Sequence, residues 1–120
     1  MATILIIDDD QKLNDLLKGF LSDFGFTVLA ATHPEKGLKK LKQKAPDLVI
    51  LDVIYSYIDG LYVLEKLLSI LKDSCMPVLV ASTINDPLFM IDAIERGASD
   101  YTPFPVDMEK LALKVKKLIG

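Results

Sequence analysis

The chain has 120 residues, of which 51% are hydrophobic and 26% charged, and its formal net charge is −3 at pH 7. This length and composition are typical of a globular domain and exclude a disordered chain, so we predict a single domain over residues 1–120. The net negative charge argues against direct nucleic-acid binding. The apolar runs fall well short of the ~20 residues that a membrane helix needs, which predicts no membrane span.

Cysteine content bears on the cellular compartment. Cys75 is the single cysteine of the sequence, so the chain can form no internal disulfide. The N-terminus leads directly into an apolar run and shows no signal peptide. Together these features predict a cytoplasmic protein.

The chain begins with a strand signal that ends in acids. Residues 3–7 predict a strand because residues 4–7 are an apolar run, and Asp8, Asp9 and Asp10 follow at once. Residues 11–24 predict a helix because their apolar side chains recur at helical spacing, and Asp10 is a candidate N-cap. The apolar positions of this helix are Leu13, Leu16, Leu17, Phe20, Leu21 and Phe24.

The residues of the second strand and second helix are predicted to have structural roles. Residues 26–30 predict a second short strand. His33 is a candidate cap, and Pro34 opens a second helix that runs to about residue 44. Its lysines predict a solvated face rather than a binding patch. These lysines are Lys36, Lys39, Lys40, Lys42 and Lys44.

The third strand is the most apolar segment and stops at an acid. Residues 47–51 contain an unbroken Leu-Val-Ile-Leu run, typical of a strand buried on both faces of a parallel sheet, and Asp52 follows. Asp59 and Gly60 predict a turn into a third helix over residues 61–71. Its inward positions are predicted to be Leu61, Leu64, Leu67, Leu68 and Leu71.

Two further strands and two helices complete the chain. Residues 77–81 predict a fourth strand that ends at Ser82, and a fourth helix begins at Asp86-Pro87 and runs to Arg96. Residues 99–102 predict a short fifth strand, and a last helix follows Asp107.

Strand and helix alternate five times, which predicts an α/β fold with a parallel sheet and helices on both faces. Right-handed crossovers leave few topologies. The flavodoxin-like, doubly wound order 2-1-3-4-5, with five helices, places the first and third strands side by side. Asp8, Asp9 and Asp52 would then converge at the carboxyl edge of the sheet. Carboxylates this close repel one another unless a cation intervenes, and Mg²⁺ suits oxygen ligands best.

Five stretches form a series that identifies a family. They are Ile7-Asp8-Asp9, Asp52 after its apolar strand, Asp59-Gly60, residues 77–82, and Gly97-Ala98-Ser99-Asp100-Tyr101. In this order and spacing they resemble the receiver domain of two-component response regulators. The resemblance covers essentially the whole chain, although no single stretch is specific by itself.

The resemblance implies a role for each matching residue. Asp52 would be the phosphoacceptor and would attack a phosphohistidine of a sensor histidine kinase, or a small acyl phosphate, to form an aspartyl phosphate. Asp8 and Asp9, with Asp52 and the backbone carbonyl of Ile54, would hold Mg²⁺. Ser82 would hydrogen-bond the phosphoryl group.

The resemblance also implies a switch and a partner surface. Tyr101 matches the aromatic residue whose rotamer follows Ser82. The fourth helix, fifth strand and last helix would contact a downstream protein or effector domain, or a second copy of the chain. Since one helical face cannot bury all of residues 88–91, we predict that Phe89 or Met90 is exposed there. The chain would be a phosphoacceptor rather than an enzyme, although it takes part in its own phosphoryl transfer and dephosphorylation.

The residue before Pro105 departs from the family pattern. The family has a lysine before the proline that follows the fifth strand, whereas this chain has Phe104 before Pro105. The lost ammonium would normally pair with the phosphoacceptor and later with the phosphoryl group. Either another lysine such as Lys12 substitutes for it, or the chain is a pseudo-receiver that binds proteins independently of phosphorylation.

Two rival classes are less consistent with the residues. A flavodoxin-like cofactor domain or hydrolase would need a glycine- or hydroxyl-rich phosphate loop after the first strand, where this chain has acids. Asp8-x-Asp10 superficially matches the haloacid-dehalogenase-like phosphatases, but the small size and the missing cap domain argue against them.

Overall fold

A computed structural model describes residues 2–53, 57–72, 74–84, 86–103 and 107–120 of the chain. The strands are β1 (Thr3–Ile7), β2 (Thr27–Ala31), β3 (Leu48–Val53), β4 (Val78–Ser82) and β5 (Asp100–Pro103). The helices are α1 (Gln11–Asp23), α2 (Pro34–Lys44), α3 (Tyr57–Ile70), α4 (Pro87–Glu95) and α5 (Met108–Ile119). All strand pairs are parallel, and the strand order is β2-β1-β3-β4-β5, which confirms the predicted α/β topology.

The helices cover both faces of the sheet because strand side chains alternate between the faces. One core contains Ile6 and Ile50 of the strands with Leu17 of α1 and Leu111 of α5. The other core contains strand residues of opposite parity, packed against α2, α3 and α4. Its central members are Ile7, Leu51, Val80, Leu41, Leu64 and Phe89. A sheet buried on both faces explains why the strands read as continuous apolar runs.

Three acids begin three helices, as their positions in the sequence indicate. Asp10 accepts hydrogen bonds from the backbone N–H groups of Lys12 and Leu13, at 3.0 and 3.3 Å. Asp86 and Asp107 cap α4 and α5 in the same way. Each bond satisfies a backbone donor that the first turn of a helix leaves free. His33 occupies the N-cap position of α2 but makes no side-chain capping bond.

Helix α2 approaches the sheet closely at a glycine. A methyl group at Gly37 would lie 2.5 Å from Cδ1 of Ile7, which is well inside van der Waals contact. The close packing of α2 on Ile7 therefore explains why a glycine lies inside this helix, although glycine has a low helix propensity.

The structure corrects the predicted start of α3. This helix begins at Tyr57, four residues before the predicted start, so Asp59 and Gly60 lie within the helix rather than in a turn.

Two residues predicted to belong to the apolar stripe of α1 are exposed instead. Leu16 is 57% exposed and Phe24 is 43% exposed. Leu16 lies beside the buried stripe of Leu17 and Leu21 because adjacent helical residues diverge by about 100°.

The apolar residues 88–91 of α4 are partly buried and partly exposed, as the sequence predicts. Phe89 is completely buried, whereas Met90 is 42% exposed, and both flanking residues are exposed as well. The inward leucines of α3 are confirmed at four positions, with Leu68 half-buried. Among the residues that the structure describes, no helix has the length and apolar character to cross a membrane.

Candidate functional site

The carboxyl edges of β1 and β3 bring two acids together. The register between these strands pairs Ile7 with Leu51, and the next residues along each strand are Asp8 and Asp52. Alternation directs both acids toward the same face of the sheet. Asp8 is completely buried and Asp52 is 1% exposed. Two carboxyl groups therefore face each other at a site that excludes water.

In the described part of the chain, three of the four carboxyl oxygens of Asp8 and Asp52 have no hydrogen-bond donor outside the pair. Oδ1 of Asp8 accepts the backbone N–H of Asp10 at 2.9 Å. Oδ2 of Asp8 and both carboxyl oxygens of Asp52 receive no N–H or O–H from described residues outside this pair. Since ionised carboxylates offer each other no proton, the two side chains form a hydrogen bond only when one of them is protonated.

Burial sets the protonation of the pair. Loss of solvation raises the pKa of Asp52, and the hydrogen bond and negative charge of Asp8 raise that pKa further, to about 10. Burial also raises the pKa of Asp8, although the hydrogen bond from Asp52 partly lowers it. Without a cation, the pair consequently retains a proton.

This environment fits a hard divalent cation. Three buried carboxyl oxygens without donors offer the ligand type that Mg²⁺ prefers, and a cation would replace the retained proton. The described residues contain no cluster of three or more His, Cys, Asp or Glu side chains placed to hold a metal. The structure therefore brings two of the three predicted carboxylates together, since Asp9 is exposed.

Two predicted site residues lie outside the part of the chain that the structure describes. These are Ile54, predicted to offer its carbonyl to the metal, and Phe104, which replaces the family lysine. The metal-binding roles of Asp9 and Ile54 stay predictions.

Ser82 and Tyr101 lie together on the adjacent strands. Ser82, buried at the end of β4, is paired with the residue that follows Asp52. Its Oγ accepts the backbone N–H of Ile84 at 2.9 Å. The hydroxyl of Tyr101 donates to the backbone carbonyl of Ile84 at 3.1 Å. Burial raises the pKa of Tyr101, while a hydrogen bond with Ser82 lowers it, so the two hydroxyl groups are in direct contact.

The Tyr101 side chain is buried, and its ring and backbone each have a further contact. Its side chain is 7% exposed, and its ring packs edge-on against Phe89 with 6.2 Å between centroids. Lys114 of α5 donates its Nζ to the backbone carbonyl of Tyr101 at 2.6 Å. The same ammonium lies 4.0 Å from Asp100.

Sequence reasoning missed one buried polar residue beside the site. Asn14 of α1 is completely buried, and its Nδ2 donates to the backbone carbonyl of Asp8 at 2.7 Å. A signal was available in the sequence, because Asn14 lies three residues before Leu17 and seven before Leu21. A polar residue in phase with a buried apolar stripe indicates a specific partner in the interior.

Comparison with known proteins places these features in context. A family model described as the response regulator receiver domain matches residues 4–116. A probable transcriptional regulator, ycf27 of Guillardia theta, is 31% identical over 116 residues, which cover 97% of this chain and 44% of that protein. The DNA-binding dual master transcriptional regulator RpaA of Synechocystis is 33% identical over 119 residues, which cover 99% of this chain and 49% of that protein.

Solved structures show the same similarity. A two-component response regulator from Clostridium difficile superimposes with a TM-score of 0.88 at 30% identity. The match covers 99% of this chain and 96% of that one. By contrast, the chain spans about half the length of the curated relatives that it matches.

Proposed function

Because the chain belongs to the response regulator receiver domain family, we propose that it accepts a phosphoryl group on Asp52 from a sensor histidine kinase and thereby switches its partner contacts. The observation that carries this proposal is the buried pair of Asp8 and Asp52, whose free oxygens meet at the carboxyl edge of the sheet. Its role is that of a cytoplasmic phosphoacceptor, not of an enzyme with a separate substrate.

Asp52 would act as the nucleophile. One of its carboxyl oxygens attacks the phosphorus of a phosphohistidine, an O–P bond forms, and the N–P bond breaks with its electron pair remaining on the imidazole nitrogen. The attacking carboxyl group must be ionised, yet burial beside Asp8 favours its protonated form. Phosphorylation therefore requires that positive charge enter the site first.

Asp8 and Asp52 are the described residues that would hold Mg²⁺, with Asp9 and the carbonyl of Ile54 as further predicted ligands. When bound, Mg²⁺ would allow both buried carboxyl groups to ionise and would offset charge on the phosphoryl oxygens. Asp8 also keeps its contact with the N–H of Asp10, which leaves its second oxygen for the shared cation.

Ser82 and Tyr101 would transmit the change. The Ser82 hydroxyl lies on the strand next to that of Asp52, where it accepts the N–H of Ile84 and contacts Tyr101. In the phosphorylated domain it would turn its O–H toward a phosphoryl oxygen. Tyr101 contacts both Ser82 and the segment that follows it. A rearrangement at Ser82 would therefore reach the surface through Tyr101.

The surface around Tyr101 is suited to an apolar partner. Tyr101 lines two cavities, of about 360 and about 270 Å³. The exposed Met90 of α4 lines both cavities, and the exposed Ile91 and Ile94 of α4 line the smaller one. Such a patch indicates a contact surface for a downstream protein, an effector domain or a second copy of the chain.

Phosphorylation can be tested with acetyl phosphate. The wild type, with Mg²⁺, should gain the mass of one phosphoryl group, and peptide mapping should place it on Asp52. The label should be base-labile and acid-stable, as expected of an acyl phosphate. The Asp52→Asn variant should take up no label, and the exposed control variant Asp23→Asn should behave as wild type. Label that survives in Asp52→Asn would overturn the assignment of the nucleophile.

Switching can be tested separately with beryllium fluoride. Amide NMR shifts should change near Ser82 and Tyr101 when beryllium fluoride and Mg²⁺ are added together. A domain that is labelled on Asp52 but shows no such shifts would be a phosphoacceptor without the proposed switch. A domain that shows neither response would be a pseudo-receiver.

A further inference from the structure

Asn14 ties the first turns of α1 to the ends of two strands. Its Nδ2 donates to the backbone carbonyl of Asp8 at 2.7 Å and to that of Ala31 at 3.3 Å. The carbonyl of Ala31 also accepts the backbone N–H of Asp8 at 3.0 Å. One buried amide group thus connects α1, the end of β1 and the end of β2.

The same residue closes a ring of hydrogen bonds around Asp8. The backbone N–H of Asn14 donates to the carbonyl of Asp10 at 3.0 Å, and the N–H of Asp10 donates to Oδ1 of Asp8 at 2.9 Å. The side chain of Asn14 then returns to the main chain of Asp8. With both its main chain and Oδ1 held in this way, Asp8 retains Oδ2 as its free oxygen, on the side chain that faces Asp52.

Packing alone does not explain an asparagine here. Asn14 shares the buried face of α1 with Leu17 and Leu21, where an apolar side chain would continue the stripe. Its own Oδ1 is buried without a hydrogen-bond partner among the described residues, which lowers stability. A leucine would remove that penalty but would also take a donor from the buried carbonyl of Asp8, so the bonds of the amide to the main chain are what an asparagine adds at this position.

We propose that Asn14 is a positioning residue for Asp8, and that its bonds set the orientation in which Asp8 and Asp52 share a cation. This inference rests on the proposed function, because it concerns the affinity of the same site. Groups that orient a metal ligand without touching the metal commonly change metal affinity by about tenfold or more.

The test uses Asn14→Leu, which keeps the approximate volume and removes the amide, and Asn14→Ala, which removes it without the risk of overpacking. The control is Leu17→Met, a volume-conserving change one turn later on the same face. Two quantities are measured on the folded proteins: Mg²⁺ affinity by calorimetry, and hydrogen exchange of the Asp10 amide without Mg²⁺. The stability of each variant is measured by urea unfolding.

We expect both Asn14 variants to bind Mg²⁺ about tenfold more weakly and to exchange the Asp10 amide faster. Both variants should also lose some stability, because the buried carbonyl of Asp8 loses the amide donor. Affinity and exchange are therefore measured well below the unfolding transition, where a merely structural role would leave both unchanged, and Leu17→Met should match wild type. Wild-type values for affinity and exchange in both variants would overturn the proposal. If wild type itself binds no Mg²⁺, the proposed function fails. The exchange rate of the Asp10 amide in the Asn14 variants then still tests whether Asn14 positions Asp8.

Discussion

Replacing Asp52 with asparagine should change how the stability of the domain depends on pH. Burial beside Asp8 raises the pKa of Asp52 from its ordinary value of 3.8 to about 10. Above pH 3.8 the unfolded chain releases this proton, whereas the folded domain keeps it. The native state then binds more protons than the unfolded state, so stability falls as pH rises, until the pH reaches the folded pKa.

The size of this effect has an upper limit. One retained proton can change the free energy of unfolding by at most about 1.4 kcal/mol per pH unit. Between about pH 5 and about pH 8, the wild type would therefore lose up to about 4 kcal/mol through Asp52. In Asp52→Asn this contribution disappears, because the amide does not titrate and can donate an N–H to the free oxygen of Asp8.

The measurement is urea unfolding, followed by circular dichroism because the chain has no tryptophan. Wild type and Asp52→Asn are compared across this pH range in a chelating buffer, with Asp23→Asn as the exposed control. The slope should be clearly smaller in Asp52→Asn than in the other two proteins, and saturating Mg²⁺ should flatten the wild-type slope. Equal slopes in all three proteins without metal would refute the reasoning that Asp52 retains a proton.

Two further changes test packing and the departure from the family. Gly37→Ala gains up to about 1 kcal/mol of helix propensity but forces a methyl group against Ile7. The buried strand cannot yield freely, so we expect a net loss of about 1–2 kcal/mol by urea unfolding; increased stability would show that α2 can shift outward. Phe104→Lys should tighten beryllium fluoride binding several-fold at equal Mg²⁺, because an ammonium would neutralise the crowded acidic site. Equal affinities would contradict this, and Lys12→Met would then test whether Lys12 already supplies the charge.

Much of the fold follows from local patterns. Unbroken apolar runs ending in Asp8 and Asp52 predict buried parallel strands with acids at one edge, and the alternation with helices leaves few strand orders, of which 2-1-3-4-5 is the flavodoxin-like one. The N-caps at Asp10, Asp86 and Asp107 also follow from sequence, because a cap depends on residues within one turn. The predicted start of α3 was wrong because glycine normally disfavours a helix, whereas Gly60 is buried inside this one. Local helix propensity takes no account of burial against the rest of the domain.

The chemistry of the site depended on contacts between distant segments. Strand patterning places Asp8 and Asp52 at one edge of the sheet, but it does not predict that Asp9 is exposed while the other two are buried with raised pKa values. The burial of Asn14 and the contact between Ser82 and Tyr101 likewise required the tertiary structure. The physical reason is that solvation and hydrogen bonding depend on how strands and helices far apart in sequence exclude water, whereas helix periodicity and strand patterning are properties of the local chain.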